Sequence, residues 1–155
     1  MHTMRAFVAA LGVALTMCAA SHSKPQTPWR VEIATSGGIA GRGMGTFAIA
    51  SDGTVSVKTM TGTTCSNRAT DDEIARIEEL LAAARPEQWS ASYAPENRCC
   101  DRFEYTLTIE EADRKTTTEW IDDPLPMPAD LTALADAIVG GGEASLRRKY
   151  GELCR

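Results

Sequence analysis

Histidine is almost missing from this chain: 155 residues include only His2 and His22. Beyond residue 22 there is therefore no imidazole to act as a general base near neutral pH or to ligate a metal. A Cys-x-x-Cys pair is also absent, which removes the commonest redox and thiolate-zinc pattern. Basic charge is short, with 16 Lys and Arg against 21 Asp and Glu and a formal net charge of −5. That balance argues against nucleic acid or an anionic lipid surface as the partner. The longest apolar run, Ala6 to Ala20, has fifteen residues, against roughly 20 for a bilayer-spanning helix. Internal repeats and low-complexity blocks are absent, and nothing in the composition asks for a cofactor.

What is present begins with an export signal over residues 1–20. Met1 to Arg5 is a short basic start, Ala6 to Met17 is apolar, and the small residues Cys18, Ala19, Ala20 and Ser21 follow. Two ways of processing it stay open. Leu15-Thr16-Met17-Cys18 has the position of a lipoprotein site, with Cys18 as the lipidated residue, although Met17 stands where a small residue is usual. Ordinary cleavage after Ala20 or Ser21 is the other. Either way the expected location is outside the cytoplasm, with a membrane reached only through a lipid anchor. Loss of Arg5 takes the net charge from −5 to −6. Residues 21–28, polar with two prolines, read as a tether, and 29–155 suit a single globular domain.

An exported chain turns cysteines into candidate staples. With Cys18 lipidated or removed, Cys65, Cys99, Cys100 and Cys154 remain. Joining Cys99 to Cys100 would close a strained ring between neighbours whose Cα atoms lie about 3.8 Å apart. The expected pairing therefore joins one of Cys99 and Cys100 to Cys65 and the other to Cys154.

Hydrophobic spacing predicts an α+β fold. Trp29 to Thr35 alternates as a strand. Ser36 to Gly45 holds five glycines in ten residues and is either a hairpin connection or a contact loop. Thr46 to Thr59 reads as a hairpin. A three-residue loop Ser51-Asp52-Gly53, with Gly53 left-handed, sets Ile49 opposite Val55 and Phe47 opposite Val57, whereas a two-residue turn would split the core. Thr70 and Glu73 form a capping box for a helix to Ala84 with an Ile74, Ile77, Leu80, Leu81 stripe, ended by Arg85-Pro86. Glu87 to Asp101 is irregular and carries Trp89 and Tyr93. Arg102 to Glu110 alternates as a strand and Lys115 to Ile121 returns antiparallel, with Trp120 opposite Tyr105 and Thr118 opposite Leu107. A second helix spans Ala129 to Val139, and a short third runs from Glu143 to Tyr150. The sum is an antiparallel sheet of about five strands, in the order strand, hairpin, helix, hairpin, helix, with two helices on one face and a short C-terminal helix.

No residue pattern specifies catalysis. The adjacent acids Asp71-Asp72, Glu110-Glu111 and Asp122-Asp123 fall in turns and helix starts, where solvation or capping is their ordinary role. Arg147-Arg148-Lys149, the one basic cluster, reads as a solvated helix end.

The strand ending Ser36-Gly37-Gly38, the run Asp101-x-Phe103-x-Tyr105-x-Leu107-x-Ile109 after a helix, and the proline-rich lead into the last long helix resemble the emfourin-like proteins over about Arg30 to Val139. The founding member of that family is a protein inhibitor of protealysin-type zinc metalloproteases. The resemblance implies a non-enzymatic, protein-binding module whose partner is a metalloprotease or other protein. No inhibitory residue of the family maps onto a position here; the loops Ser36 to Gly45 and Glu87 to Asp101, with Ser36, Gly37, Gly38, Arg42, Trp89 and Tyr93, are the candidate contacts for blocking a cleft. An export signal, four cysteines and a tail after Gly140 depart from the simplest members. The competing expectation is a structural or accessory envelope protein without a protease target. Nothing in the residues indicates an oligomeric state.

Overall fold

The computed structural model describes residues 27–38, 43–97, 101–140 and 145–154. The export signal, Cys18, most of the tether, Arg42, Cys99 and Cys100 lie outside the described residues.

Six strands form one antiparallel sheet: β1 (Trp29–Gly37), β2 (Gly45–Ala50), β3 (Thr54–Lys58), β4 (Thr64–Arg68), β5 (Phe103–Glu111) and β6 (Arg114–Ile121), in the spatial order β4-β3-β2-β1-β5-β6. The three helices are α1 (Asp71–Ala83), α2 (Ala129–Val139) and α3 (Leu146–Glu152). This is the expected α+β architecture with one strand more. The extra strand, β4, has the sequence TCSNR, alternately exposed and half-buried, and it pairs only with β3. An edge strand with so little to bury carries no hydrophobic alternation, so only its ladder reveals it.

Register follows the apolar pattern. Ile49 faces Val55 and Phe47 faces Val57, with Gly53 at φ 83°. Trp120 faces Tyr105 and Thr118 faces Leu107, and the ladder closes one step further than expected, at Glu111 opposite Arg114. Because side chains alternate across a sheet, Val31, Ile33, Phe47, Ile49, Val55, Val57, Leu107, Ile109 and Trp120 share one face. There they meet Ile77, Leu131, Leu134, Ile138, Leu146 and Tyr150 in one core, which places all three helices on that face.

The helix ends follow local chemistry. The Thr70 hydroxyl accepts from the Glu73 N–H at 3.3 Å, and the Thr70 N–H donates to the Glu73 carboxylate at 2.9 Å. Asp130, in the first turn of α2, accepts from the Arg85 N–H at 2.9 Å and the Trp89 indole at 3.2 Å. Burial works against its ionised form, but these donors hold the Asp130 carboxyl below its ordinary range.

The disulfide differs from expectation. Cys65 in β4 is bonded to Cys154 just past α3, with Cα atoms 5.9 Å apart, well within the usual span of about 4.4–6.8 Å. Neither cysteine is therefore available to Cys99 or Cys100. The expected pairing assumed that all four cysteines close two bridges. It had no knowledge of β4, which brings Cys65 opposite Val57, whose carbonyl lies beside the Cys154 sulfur.

Candidate functional site

All six strands run between the same two ends of the sheet, and the connections at those ends differ. One end carries tight links: the turn at 51–53, the Ala112-Asp113 turn with Ala112 at φ 49°, and the entry to α1, where the Ala69 N–H donates to the Gly53 carbonyl at 2.8 Å. The opposite end gathers the longer connections: residues 38–44 between β1 and β2, 59–63 between β3 and β4, the approach to β5 and the exit from β6. This loop end is the candidate site. Trp29, where the chain enters the sheet, lies at the other end, paired with Glu111.

The glycine-rich segment after β1 meets the start of β5 there. Gly37 pairs with Phe103, and the Gly38 N–H donates to the Arg102 carbonyl at 2.9 Å. Gly37 has φ 77°, and a Cβ on it would collide with that same carbonyl oxygen. At Gly38, with φ 72°, the Phe103 ring occupies the space of a side chain. Both glycines are thus required for the β1 end to approach β5 closely. Ser36 donates from its hydroxyl to Glu104 at 3.3 Å.

Trp89 and Tyr93 are not at this end, and their segment straps the edge of β6. Thr118, fully buried, donates from its hydroxyl to the Ser90 carbonyl at 2.8 Å. The Tyr93 N–H donates to the Glu119 carbonyl at 2.8 Å, and the Glu119 N–H to that of Ala91 at 3.0 Å. Tyr93 is only 7% exposed, and its hydroxyl accepts from the Ser90 N–H at 2.9 Å. An edge strand needs cover, and the backbone of Ser90, Ala91 and Tyr93 supplies it, while the Trp89 indole is held by Asp130 at the start of α2.

Between the loop end and α3 lies a groove of about 770 Å³, lined among others by Met44, Met60, Phe103, Tyr105, Val139 and Arg147. Tyr105 stacks on Trp120 with ring centroids 5.4 Å apart and donates to the Asp122 carboxylate at 3.0 Å. Burial, and then that hydrogen bond, push its phenol up to about 12, so it stays a donor. The other Asp122 oxygen accepts from the Phe103 N–H at 2.9 Å. The remaining adjacent acids are engaged similarly: Asp123 pairs with Arg102 at 3.1 Å, Glu110 with Lys115 at 3.0 Å and Glu111 with Arg114 at 3.0 Å, while Asp71 and Asp72 sit in the first turn of α1. Among the described residues no three metal-ligating side chains come together, and no helix is long and apolar enough to cross a membrane.

The basic cluster on α3 is not a uniformly solvated end. Arg148 pairs with Glu152 at 3.4 Å, and Lys149 with Glu73 at 2.8 Å. Arg147 turns inward, half-buried, and donates to the Thr35 hydroxyl at 2.8 Å. Successive helical positions point about 100° apart, so three adjacent cations reach three surroundings. Arg147 and the flanking Met44 and Met60 escaped sequence reasoning because nothing in one dimension brings 44, 60 and 147 together.

No curated protein and no solved structure matches the chain. The Emfourin family model matches residues 53–138, 86 of 155. The matched segment runs from the β2–β3 turn to the end of α2, leaving Ser36-Gly37-Gly38 and the whole of α3 outside it. Spanning β3 to β6 and both long helices, the match shows that the chain belongs to the emfourin family.

Proposed function

We propose that this chain is an exported proteinaceous inhibitor of a zinc metalloprotease, presenting the loop end of its sheet to the protease cleft. Membership of the emfourin family carries the reading. The geometry is compatible with it: the described ends of several connections converge at one end of the sheet. The tether joins at the opposite end, at Trp29, so an attachment at Cys18 would leave the loop end unencumbered. A disulfide between Cys65 and Cys154 suits an oxidising compartment.

The test is titration of thermolysin-type metalloproteases with the exported, oxidised protein, following hydrolysis of a peptide substrate and the integrity of the chain. Stoichiometric loss of activity without cleavage of the chain is expected. Full activity across several such proteases would reject the inhibitory reading and favour an accessory envelope protein.

A further inference from the structure

We propose that the groove beside α3 binds the free C-terminal carboxylate of a peptide whose last side chain is apolar, with Arg147 as the partner of that carboxylate. A guanidinium drawn out of water ordinarily has a carboxylate beside it. The neighbours Arg148 and Lys149 each have one, Glu152 and Glu73. Arg147 is the more buried of the three, yet its hydrogen bond among the described residues goes to the neutral hydroxyl of Thr35, itself 5% exposed. No described carboxylate lies within ion-pair distance of it. The nearby Tyr105 phenol has already given its proton to a hydrogen bond with Asp122. Burial pushes the Arg147 pKa down from its ordinary value, and the opposing pull of Tyr105 does not make up for it. A guanidinium has five N–H donors in a planar fork that matches a carboxylate bidentately, and one bond to Thr35 leaves most of that fork unused.

The surroundings specify what accompanies the carboxylate. Four large apolar side chains are exposed among the described residues, and two of them, Met44 at 37% and Met60 at 58%, flank this groove together with half-buried Phe103 and Val139. Unbranched methionines adapt their shape to a guest. The rim between β3 and β4 carries Thr59, Thr61 and Thr63, whose hydroxyls lie 2.8 and 3.4 Å apart in a row. A peptide backbone offers N–H and C=O groups to such a row, and a bare alkyl chain does not. The volume, about 770 Å³, falls in the range of small-ligand clefts, about 300–1,000 Å³. Arg147 lies outside the family match, which ends at 138, so the inference is independent of protease inhibition.

The experiment is an NMR titration of the ¹⁵N-labelled, oxidised exported protein with N-acetyl-Ala-Leu-Phe as the free acid, the same peptide as the C-terminal amide, and decanoate. The free acid is expected to shift the amides of Thr35 and Phe103 and the Arg147 side-chain N–H, and to bind about tenfold or more tightly than the amide, the loss typical of a charge-assisted hydrogen bond. In Arg147→Gln the acid and amide should become equivalent, while Arg147→Lys retains part of the difference. Should Arg147→Gln fail to fold, the acid-to-amide ratio and the location of the shifts in the unaltered protein still decide. Equal binding of acid and amide, no shift at millimolar peptide, or tighter binding of decanoate than of the peptide would each overturn the assignment.

Discussion

Ile109 and Phe103 lie on the same face of the same strand, six residues apart, and their surroundings are opposite. At the turn end Ile109 is 3% exposed and sits opposite Val31, which is fully buried, near the Ile49 and Val55 pair that is also fully buried. At the loop end Phe103 is half-buried and faces the groove. Both are large and apolar, and both obey the alternation of β5. What differs is cover: Ile109 lies within the core that the helices close, and Phe103 lines the groove beside α3. An unbroken hydrophobic alternation thus supplies both a core and a groove wall in one strand, and only the placement of helices decides where one becomes the other.

Four measurements test that division. Ile49→Ala, in the closed end, should lose about 2–5 kcal/mol in urea unfolding, since a buried branched side chain leaves a cavity in a packed core; a loss under about 1 kcal/mol would show that this end is not the scaffold. Replacing Cys65 and Cys154 together by serine should cost about 2–4 kcal/mol, the usual range for a native bridge, here between residues 89 apart in sequence. Hydrogen exchange should then show the amides of α3 opening while those of α1 remain protected; uniform opening would mean that the bridge holds the whole fold and not the wall of the groove.

The third concerns Glu73, which joins the α1 cap to α3. Its carboxylate accepts from Lys149 at 2.8 Å and the Tyr150 hydroxyl at 2.7 Å. Burial opposes ionisation, but Lys149, the Thr70 N–H, Tyr150 and the Thr70 hydroxyl outweigh it and hold the group at about 2. A depressed carboxyl stabilises the fold when ionised, so its contribution is complete above its ordinary value of 4.5 and is lost as pH falls towards about 2. After discounting for partial exposure, about 2 kcal/mol should disappear over that interval, and Glu73→Gln should flatten the profile there. An unchanged acid limb in that variant would detach α3 from the cap of α1. The smallest effect belongs to the open end: Met60→Ala should change stability by less than about 0.5 kcal/mol. A larger loss would make Met60 part of the core.

Much of the scaffold was legible. The loop at 51–53 followed from asking which register puts Phe47, Ile49, Val55 and Val57 on one face, and the capping box at Thr70 and Glu73 from hydrogen-bonding chemistry within one turn. β4 was not legible, since Thr64, Ser66 and Arg68 have nothing to bury and the strand exists by pairing with β3. Missing it hid the disulfide partner of Cys65. The setting of Trp89 and Tyr93 was not legible, because an irregular segment gives no sign of what it lies against, and a strap along β6 leaves no periodicity. Arg147 was indistinguishable from Arg148 and Lys149 until the direction of each side chain was known.

By itself the sequence determined what depends on near neighbours: strand alternation, helix caps, turn chemistry and the α+β order that follows from them. Tertiary structure alone decided the Cys65–Cys154 bridge, the strap over β6 and the groove in which Met44, Met60, Phe103 and Arg147 meet. These depend on residues brought together from across the chain, and such contacts are set by how helices cover a sheet, a three-dimensional packing solution that no local spacing records.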